Sequence, residues 1–362
     1  MARLAIVYVV VLATLRLTLA SPEGCDAPSP DALERTASRA ASWLAEHQRT
    51  DGSFLYESDR DGEDLGGYNE VRHAGVLLSL YQSGELDAAD RGLEWAIDHL
   101  EDVEDGAALA LHDRASVGGA ALLTAALAER RVQTGEDDHD DLLRDLGSFL
   151  VSMQRDDGGF YVSVAPSSGA LDRQGTSRYY PGEALWALAR LENLFPGEDW
   201  DVPARRAAAF IATRRDDVED VIAPPLNDHW AAYGFAEMAT WTTPGVDDDV
   251  ADYARLLYGR FALLIRTESR RDAALIGMLH GPPRRSSAVG TWVEGQAALA
   301  RLAALDERVA DLEDRIIDSA RCGTGVLVDR QEPNGAWYAR GATRMDDQQH
   351  AISGLLATAV LP

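Results

Sequence analysis

Twelve stretches of the chain carry apolar residues at every third or fourth position, and breaks rich in Gly, Asp and Pro separate them. This spacing is the period of an α-helix, and few signs of strands are visible. Two kinds of helix alternate along the chain. The first kind carries charge on one face, as in A-S-R-A-A-S-W-L-A-E-H-Q. The second kind is apolar on all sides, as in G-G-A-A-L-L-T-A-A-L-A. An evenly apolar helix is a buried one. The alternation therefore predicts an all-α fold of six helical hairpins, with an inner ring of helices covered by an outer ring.

The odd-numbered helices of this series are the predicted outer helices, and the even-numbered ones are the predicted inner helices. The predicted helices are 31–48, 70–83, 87–101, 117–132, 140–154, 179–194, 202–214, 228–241, 247–266, 291–304, 306–321 and 346–360.

A short motif recurs at the ends of three predicted outer helices. It reads Q-R-T-D-G-S-F from Gln48, Q-R-D-D-G-G-F from Gln154 and Q-E-P-N-G-A-W from Gln331. The Asp-Gly or Asn-Gly pair favours a turn, and the Gln amide can satisfy backbone groups that a helix end leaves unpaired. We interpret the motif as structural, marking the points at which the chain turns from an outer to an inner helix.

The segments W-L-A-E-H-Q-R-T-D-G-S-F and F-L-V-S-M-Q-R-D-D-G-G-F resemble the outer-helix ends of α/α-toroid proteins. That superfamily includes six-hairpin glycosidases, polysaccharide lyases and sugar epimerases, and also terpenoid cyclases and protein prenyltransferases. The resemblance implies an (α/α)6 toroid over essentially the whole chain after its N-terminal segment. It indicates the fold and leaves the chemistry open, because this fold supports many reactions.

The N-terminal segment has the pattern of a targeting sequence. An apolar run from Leu4 to Ala20, broken by Arg16 and two Thr, precedes Ser21-Pro22. We expect residues 1–20 to be a signal peptide or an N-terminal anchor, 21–30 a linker, and 31–362 a single toroid domain. The protein is then exported, to the outside or to the cell surface, and a membrane is involved only if the segment stays uncleaved. Cys25 and Cys322 could pair in an exported protein, but the sequence does not show that they meet.

The charge of the chain excludes one class of partner. The formal net charge is -26, and all 34 basic residues are Arg. Binding of nucleic acid through a basic face needs an excess of cations. We therefore expect no nucleic-acid partner.

Polar, charged and aromatic residues gather at the beginnings of five predicted inner helices. These read Y-N-E-V-R-H, S-R-Y-Y-P-G-E, N-D-H-W, T-W-V-E-G-Q and T-R-M-D-D-Q-Q-H. All inner helices of a toroid point the same way, so these N-termini are expected to meet at one mouth of the barrel. Convergent polar groups above an apolar cavity are the usual form of a binding site.

Helix capping explains part of this enrichment. Asn69, Asn227 or Asp228, Thr291 and Asp346 are of the types that cap helix N-termini. Capping does not explain the Arg and His residues, because a cation in the first helical turn opposes the helix dipole. We therefore interpret the mouth as a functional site.

Carbohydrate processing is the chemistry that we expect at this mouth, because toroid glycosidases, lyases and epimerases keep their sites there. Glycoside hydrolysis needs two carboxyl groups across the scissile bond, and the candidates for catalysis are Glu183, Asp228, Glu70 and Asp346. A lyase or epimerase would instead use His73, His229 or Tyr180 as acid and base.

The residues expected to bind the substrate surround these candidates. Arg binds carboxylate in a two-pronged way, so the three Arg residues suggest an acidic glycan or another anionic ligand. The substrate-binding candidates are Arg72, His73, Arg178, Tyr179, Tyr180, His229, Trp230, Trp292, Glu294, Arg344, Asp347 and His350. We expect no cofactor and no metal ion.

Two other functions remain open. A terpenoid-cyclase-like enzyme would use an acidic run, and D-D-H-D-D at 137–141 and D-D-V-E-D at 216–220 fit that pattern, although both are predicted to lie in loops. A non-catalytic toroid would bind a glycan or another polymer at the same mouth without turning it over.

Overall fold

The fold is that of a computed structural model of the chain, and the structure is described for residues 2–19, 24–104, 106–243, 245–271 and 281–362. In chain order the helices are α1 Ala2–Leu19, α2 Pro30–Glu46, α3 Glu70–Ser83, α4 Leu86–Ile97, α5 Val117–Thr134, α6 Asp140–Ser152, α7 Tyr180–Leu194, α8 Asp201–Thr213, α9 Arg215–Val218, α10 His229–Met238, α11 Asp248–Glu268, α12 Ser286–Leu305, α13 Glu313–Arg330 and α14 Met345–Ala359. A short 3-10 helix, Ala310–Leu312, precedes α13.

Six of these helices form a closed inner ring. α3, α5, α7, α10, α12 and α14 each pack on the next, and α14 packs back on α3. The outer helices α2, α4, α6, α8, α11 and α13 cover them. The predicted alternation is confirmed: α5 is buried on all sides along most of its length, whereas α2 buries one stripe and exposes the other. The all-α, six-hairpin prediction is therefore confirmed for the described residues.

Short strands were missed by the sequence analysis. Strands β1 Glu57–Asp59 and β7 Ala342–Arg344 pair with each other. Strands β2 Leu100–Val103, β3 Gly106–Leu111, β4 Arg114–Ser116, β5 Ser163–Ala165 and β6 Ala170–Leu171 form an antiparallel sheet. These segments are too short to show a period of two. They lie in loops that lead into inner helices, so they fix where those helices begin.

Three predicted helices have wrong bounds. The third ends at Ile97 rather than at 101, because Leu100 begins strand β2. The tenth helix begins at Ser286 rather than at 291, so Thr291 lies inside α12 and caps nothing. The eleventh spans Glu313–Arg330 rather than 306–321. The Asp306 side chain accepts a hydrogen bond from the Arg308 backbone, which forms a turn where a helix was predicted.

The three Gln loops are structural, as the sequence predicts. The Gln154 amide donates to the carbonyl of Gly158 in its own loop, at 3.2 Å, and to that of Pro203 in outer helix α8, at 2.9 Å. Gln48 and Gln331 repeat this arrangement with the outer helices α4 and α2. Gly158 has φ +91, and a Cβ there would lie 2.3 Å from the Arg206 carbonyl oxygen. Each loop therefore fastens one outer helix to another.

Replacing Gln154 by Ala is expected to lower the free energy of unfolding by about 1–2 kcal/mol, because two carbonyl groups lose their donor. Urea unfolding followed by circular dichroism measures the change. Gln133 is exposed on α5 and donates to Glu129, so the matched Gln133→Ala variant should stay within about 0.5 kcal/mol of wild type. Equal stability of the two variants would contradict the structural role of the loop.

The two cysteines and the N-terminal segment complete the fold. Cys25 and Cys322 form a disulfide that joins the segment before α2 to outer helix α13. α1 covers the apolar run, and its side chains from Leu4 to Arg16 are exposed. Among the described helices, none has the length and apolar character needed to cross a membrane.

Candidate active site

A cavity of about 1050 Å³ opens among the N-terminal halves of the inner helices. We call it the histidine cavity, after the two histidines in its wall, His229 and His350. The predicted residues that line it are Arg72, Tyr179, Tyr180, Glu183, His229, Trp230, Trp292, Asp346 and His350. Five inner helices contribute these residues together with Thr291 and Gln349, and α5 adds Leu122. The volume is at the upper end of the range for small-molecule sites, which suits an oligosaccharide.

His229, Glu294 and His350 form a cluster in the wall of this cavity. His229 is the first residue of α10, Glu294 lies on α12 and His350 on α14. The His350 Nδ1–H donates to Glu294 Oε2 at 2.8 Å, and His229 Nε2 lies 3.8 Å from the same oxygen. The two imidazole centroids are 5.0 Å apart, with the rings at 80°. The two imidazoles are therefore in edge-to-face contact, and a buried carboxylate orients one of them.

Burial makes His229 a neutral base without a partner. Burial lowers its pKa well below the ordinary value, and the neighbouring His350 lowers it further. Neither ring nitrogen has a hydrogen-bond partner among the described residues, although both are buried. Buried polar atoms are nearly always paired, so the unpaired imidazole indicates a group that a ligand satisfies.

Burial also raises the pKa of Glu294, and hydrogen bonds from His350 and Tyr233 act in the opposite sense. The Tyr233 hydroxyl lies 3.4 Å from Glu294 Oε1. Because Nδ1 of His350 is hydrogen-bonded to Glu294, the other ring nitrogen, Nε2, is the one that can contact a substrate. The carboxylate thus fixes the tautomer of the ring.

The same three side chains have the donor types of a divalent metal site. One ligand atom from each of His229, Glu294 and His350 can be chosen so that all lie within 4.8 Å of one another. Two His and one Glu form the protein part of one kind of catalytic zinc site. The sequence analysis expected no metal, and this arrangement makes metal dependence an experimental question.

Two carboxyl groups line the cavity beside the histidines. Burial raises the pKa of Glu183 well above its ordinary value, and the charge of Asp228 adds to this. Its Oε2 has no hydrogen-bond partner among the described residues. Asp346 Oδ2 lies 3.2 Å from Arg72 Nε, and Arg72 also donates to the Tyr56 hydroxyl. Glu183 is therefore suited to donate a proton, while Asp346 forms an ion pair with Arg72.

Aromatic rings supply the apolar wall. Trp230 and Trp292 are buried and line the cavity, and Tyr179, which is 40% exposed, lines it too. The ring centroids of Trp230 and His350 are 5.7 Å apart, and Trp230 also stacks on Trp186. Rings in this position can pack on sugar faces close to the two imidazoles.

Asp228, a predicted catalytic residue, does not line the cavity. Its carboxylate is fully buried, accepts from the Trp230 and Ala231 backbone amides at 3.1 and 3.2 Å, and pairs with Arg215. Arg215 is fully buried too and donates to the Tyr253 hydroxyl at 2.7 Å. The structure therefore places Asp228 as the cap of α10, directly before His229.

Three other predicted residues also lie away from the cavity. His73 is fully buried between Tyr68 and the Gly92 carbonyl, at 2.6 and 2.9 Å, and burial lowers its pKa to about 3. Glu70 accepts from the Ser116 hydroxyl at 3.0 Å. Arg178 is exposed. The spacing of apolar residues does not show which polar side chains point into the cavity, because residues one position apart on an inner helix face different neighbours.

Arg344 and Asp347 lie on the other side of the α14 N-terminus. Asp347 is buried, accepts from the Arg344 backbone amide at 3.0 Å and from the Ser287 hydroxyl at 2.8 Å, and pairs with Arg285. Arg344 lines a second cavity rather than the first. The predicted set thus divides between two neighbouring cavities and the packing around them.

Outer helix α11 contributes lining residues that the sequence analysis missed. Leu263, Leu264 and Thr267 lie near its C-terminus, and Arg271 and Arg284 lie in the connection that follows it. All site residues predicted from the sequence lie at or near the beginnings of predicted inner helices. The signal that could have found this wall was the concentration of Arg between 266 and 285.

Neither acidic run lines the histidine cavity. Asp138 of the first run pairs with Arg130, at the C-terminal end of inner helix α5. Asp216 of the second run lies within 3.3 Å of the Tyr253 hydroxyl, beside Arg215. Both runs therefore have packing roles in this structure.

Comparisons with known proteins agree with this fold. No protein-family model matches the chain, and no curated protein matches it significantly in sequence. The structure is similar to cellobiose 2-epimerase from Spirochaeta thermophila, with TM-score 0.62 and 15% identity, over 91% of this chain and 97% of that one. It is similar to an unsaturated glucuronyl hydrolase specific for heparin, with TM-score 0.63 and 13% identity, over 91% and 97% of the two chains.

A third similar structure is a GH76 α-mannanase from Bacteroides thetaiotaomicron, with TM-score 0.60 and 10% identity, over 90% and 95% of the two chains. Similarity at this level of identity concerns the fold. It spans nearly the whole length of each neighbour, so the agreement covers all six hairpins. The chain thus has the α/α-toroid fold of the six-hairpin glycosidase-like enzymes.

Proposed function

We propose that the protein is an exported carbohydrate-processing enzyme, and that its histidine cavity moves a proton to and from a carbon next to a carbonyl, as in sugar epimerisation. The observation that carries the proposal is the pair of imidazoles in edge-to-face contact in the cavity wall, with ring centroids 5.0 Å apart. One of them is neutral and unpaired, and the other is oriented by Glu294.

The chemistry follows from these positions. Neutral His229 accepts the proton from the carbon beside the aldehyde of an open-chain sugar, which leaves an enediolate. In this step His350 acts as the imidazolium, with its Nδ1–H on Glu294. Because the two rings are in edge contact, the substrate carbon cannot lie between them. The enediolate therefore turns in the cavity, and Nε2–H of His350 delivers a proton to the other face of the same carbon. One proton is taken and one is returned, so the configuration at that carbon is inverted and no oxidant is required. Acid–base catalysis of this kind contributes roughly 10²–10⁴-fold.

Glycoside hydrolysis is the second candidate, because two carboxyl groups line the same cavity. Glu183, kept protonated by burial, would donate to the leaving oxygen, and Asp346 would act from the other side of the bond. A terpenoid-cyclase-like activity has less support, because neither acidic run reaches the cavity.

Incubation in D₂O separates these reactions. With cellobiose and digalacturonic acid as probes, epimerisation is expected to place one deuterium on the carbon next to the reducing-end carbonyl and to form the epimer, both visible by NMR. Hydrolysis would give monosaccharides without carbon-bound deuterium, and elimination would give an unsaturated sugar that absorbs ultraviolet light. Any of these products in place of the deuterated epimer would contradict the proposal.

Two further arms complete the experiment. Activity that survives dialysis against EDTA supports imidazole acid–base chemistry, whereas activity lost on chelation and restored by Zn²⁺ would assign the three side chains to a metal. Binding of a probe without turnover would favour a non-catalytic toroid.

A further inference from the structure

A second cavity of about 980 Å³ lies beside the first, and arginines dominate its wall. We call it the arginine cavity. The six that line it are Arg271, Arg284, Arg285, Arg330, Arg340 and Arg344. The chain has 60 acidic and 34 basic residues, so such a concentration of cations runs against its composition.

Three of the six arginines are neutralised by acids of the protein. Arg271 and Arg330 both bind Glu268, the latter at 2.7 Å. Arg285 binds Asp347 and lies 3.4 Å from Glu57. These pairs tie the end of α11 to α13 and the start of α12 to α14, so they build the wall of the cavity.

The other three arginines have no such partner. Among the described residues, no acid pairs with the guanidinium groups of Arg284, Arg340 or Arg344. Arg344 Nε is buried and lacks a hydrogen-bond partner, which is costly for a charged donor. Two acids, Asp329 and Glu332, line the same cavity, and Glu332 pairs with Arg60 at 2.9 Å. Six arginines against two acids leave the wall of this concave site positively charged on balance.

One more feature favours an anionic ligand here. The N-terminus of α12 opens on this cavity, with Ser286 and Ser287 in its wall and no side-chain cap. The positive end of a long helix attracts anions.

The two cavities adjoin and share part of their wall. Arg271, Arg284, Ser287 and Ala288 line both of them. A ligand whose end lies against the histidines can therefore extend past the start of α12 into the arginine cavity.

We propose that the arginine cavity is a subsite for an anionic group, carboxylate or sulfate, on a sugar unit of an oligosaccharide whose reducing end lies in the histidine cavity. This inference rests in part on the proposed function and names its substrate class. Arg284, Arg340 and Arg344 bind the anionic group, since guanidinium matches its oxygens in a two-pronged way.

Equilibrium binding tests this directly. The probes are tetragalacturonate, a sulfated galactan tetrasaccharide and cellotetraose, measured by calorimetry with wild type, Arg284→Gln, Arg340→Gln and the double variant. We expect the double variant to bind at least one anionic probe roughly tenfold or more weakly, which corresponds to about 1.4 kcal/mol. The affinity for cellotetraose should change less than twofold. The probe that loses affinity identifies the anion as carboxylate or sulfate.

Arg35 is exposed on α2 and lines neither cavity, so Arg35→Gln is the matched control for loss of one charge. Added NaCl should weaken binding of the anionic probe to wild type more than to the double variant. Equal loss for anionic and neutral probes, unchanged affinity in the double variant, or no binding of either anionic probe to wild type would overturn the inference.

The outcome is separable from that of the proposed function. Arginine-dependent binding of an anionic probe without turnover would support the proposed subsite and contradict the proposed epimerase activity. Turnover of cellobiose, together with an affinity for anionic probes that does not change in the arginine variants, would support the epimerase activity and contradict the subsite.

Discussion

Replacing His229 by Asn should lower kcat roughly 10²–10⁴-fold on any substrate that wild type epimerises, because the variant lacks the base that accepts the proton. KM should change much less, since Asn fills similar space and the aromatic wall remains. Steady-state kinetics on wild type and variant measure the loss. Proton exchange into D₂O at the reacting carbon should fall by the same factor.

The pH profile gives this prediction a second readout. His229 has its pKa lowered from 6.5 by burial and by His350, so it stays neutral as the pH falls below that value. The acid limb of kcat/KM should therefore begin below pH 6.5. Below that pH the unfolded chain binds a proton that folded His229 does not, so wild type should lose stability relative to His229→Asn.

His139 lies outside both cavities, and His139→Asn is the matched control with unchanged kcat. The double variant His229→Asn, His350→Asn should be little slower than either single variant, since epimerisation needs both proton transfers and the loss of either imidazole already stops it. A His229→Asn enzyme that retains more than about a tenth of wild-type kcat, while folded, would contradict the assignment, as it falls outside the range for a general base.

Arg215→Met is expected to cost about 3–5 kcal/mol of stability, the usual result of removing one partner of a buried ion pair. Arg215 and Asp228 are both fully buried. The variant leaves the Asp228 carboxylate in the interior without its cation, next to Glu183, whose pKa that charge already raises. Urea unfolding measures the change, and the m-value shows whether the transition remains two-state.

The double variant Arg215→Met, Asp228→Asn provides the matched control. It removes both charges, and Asn still caps a helix well, so it should recover a large part of the lost stability. A single variant within about 1 kcal/mol of wild type, or a double variant less stable than the single, would contradict the role given to this pair. Because Asp228 holds the first turn of α10, Arg215→Met should also lower kcat through His229.

The ring architecture could be predicted from the sequence because a buried helix is apolar on all its faces, whereas a covering helix is apolar on one. α5 and α12 have apolar residues all round, whereas α2 and α6 do not, and that contrast is the two-ring arrangement itself. The strands escaped prediction because segments of two to six residues, such as β6 and β3, carry no period. The start of α12 escaped because Ser, Ser and Gly at 286, 287 and 290 weaken the helical signal.

The site was predictable in place and not in detail. The beginnings of inner helices carried the residues that meet at the cavity, including His229 and His350. Which residue of each turn faces inward depends on helix rotation, so Arg72 reaches the cavity and its neighbour His73 does not. The Glu294–His350 bond joins residues 56 positions apart. A single sequence without its fold does not report such a pair.

The closure of the ring constrains how the chain can fold as it is synthesised. α2, the first helix of the toroid to leave the ribosome, packs chiefly on α14, the last. The Gln331 amide reaches back to the Thr36 carbonyl at 2.8 Å, β1 pairs with β7, and Cys25 bonds to Cys322. The apolar face of α2 therefore stays without its partner until almost the entire chain has been made. Closure of the ring is therefore expected only after α14 has been made, and a chain that stops before α14 would lack the main packing partner of α2.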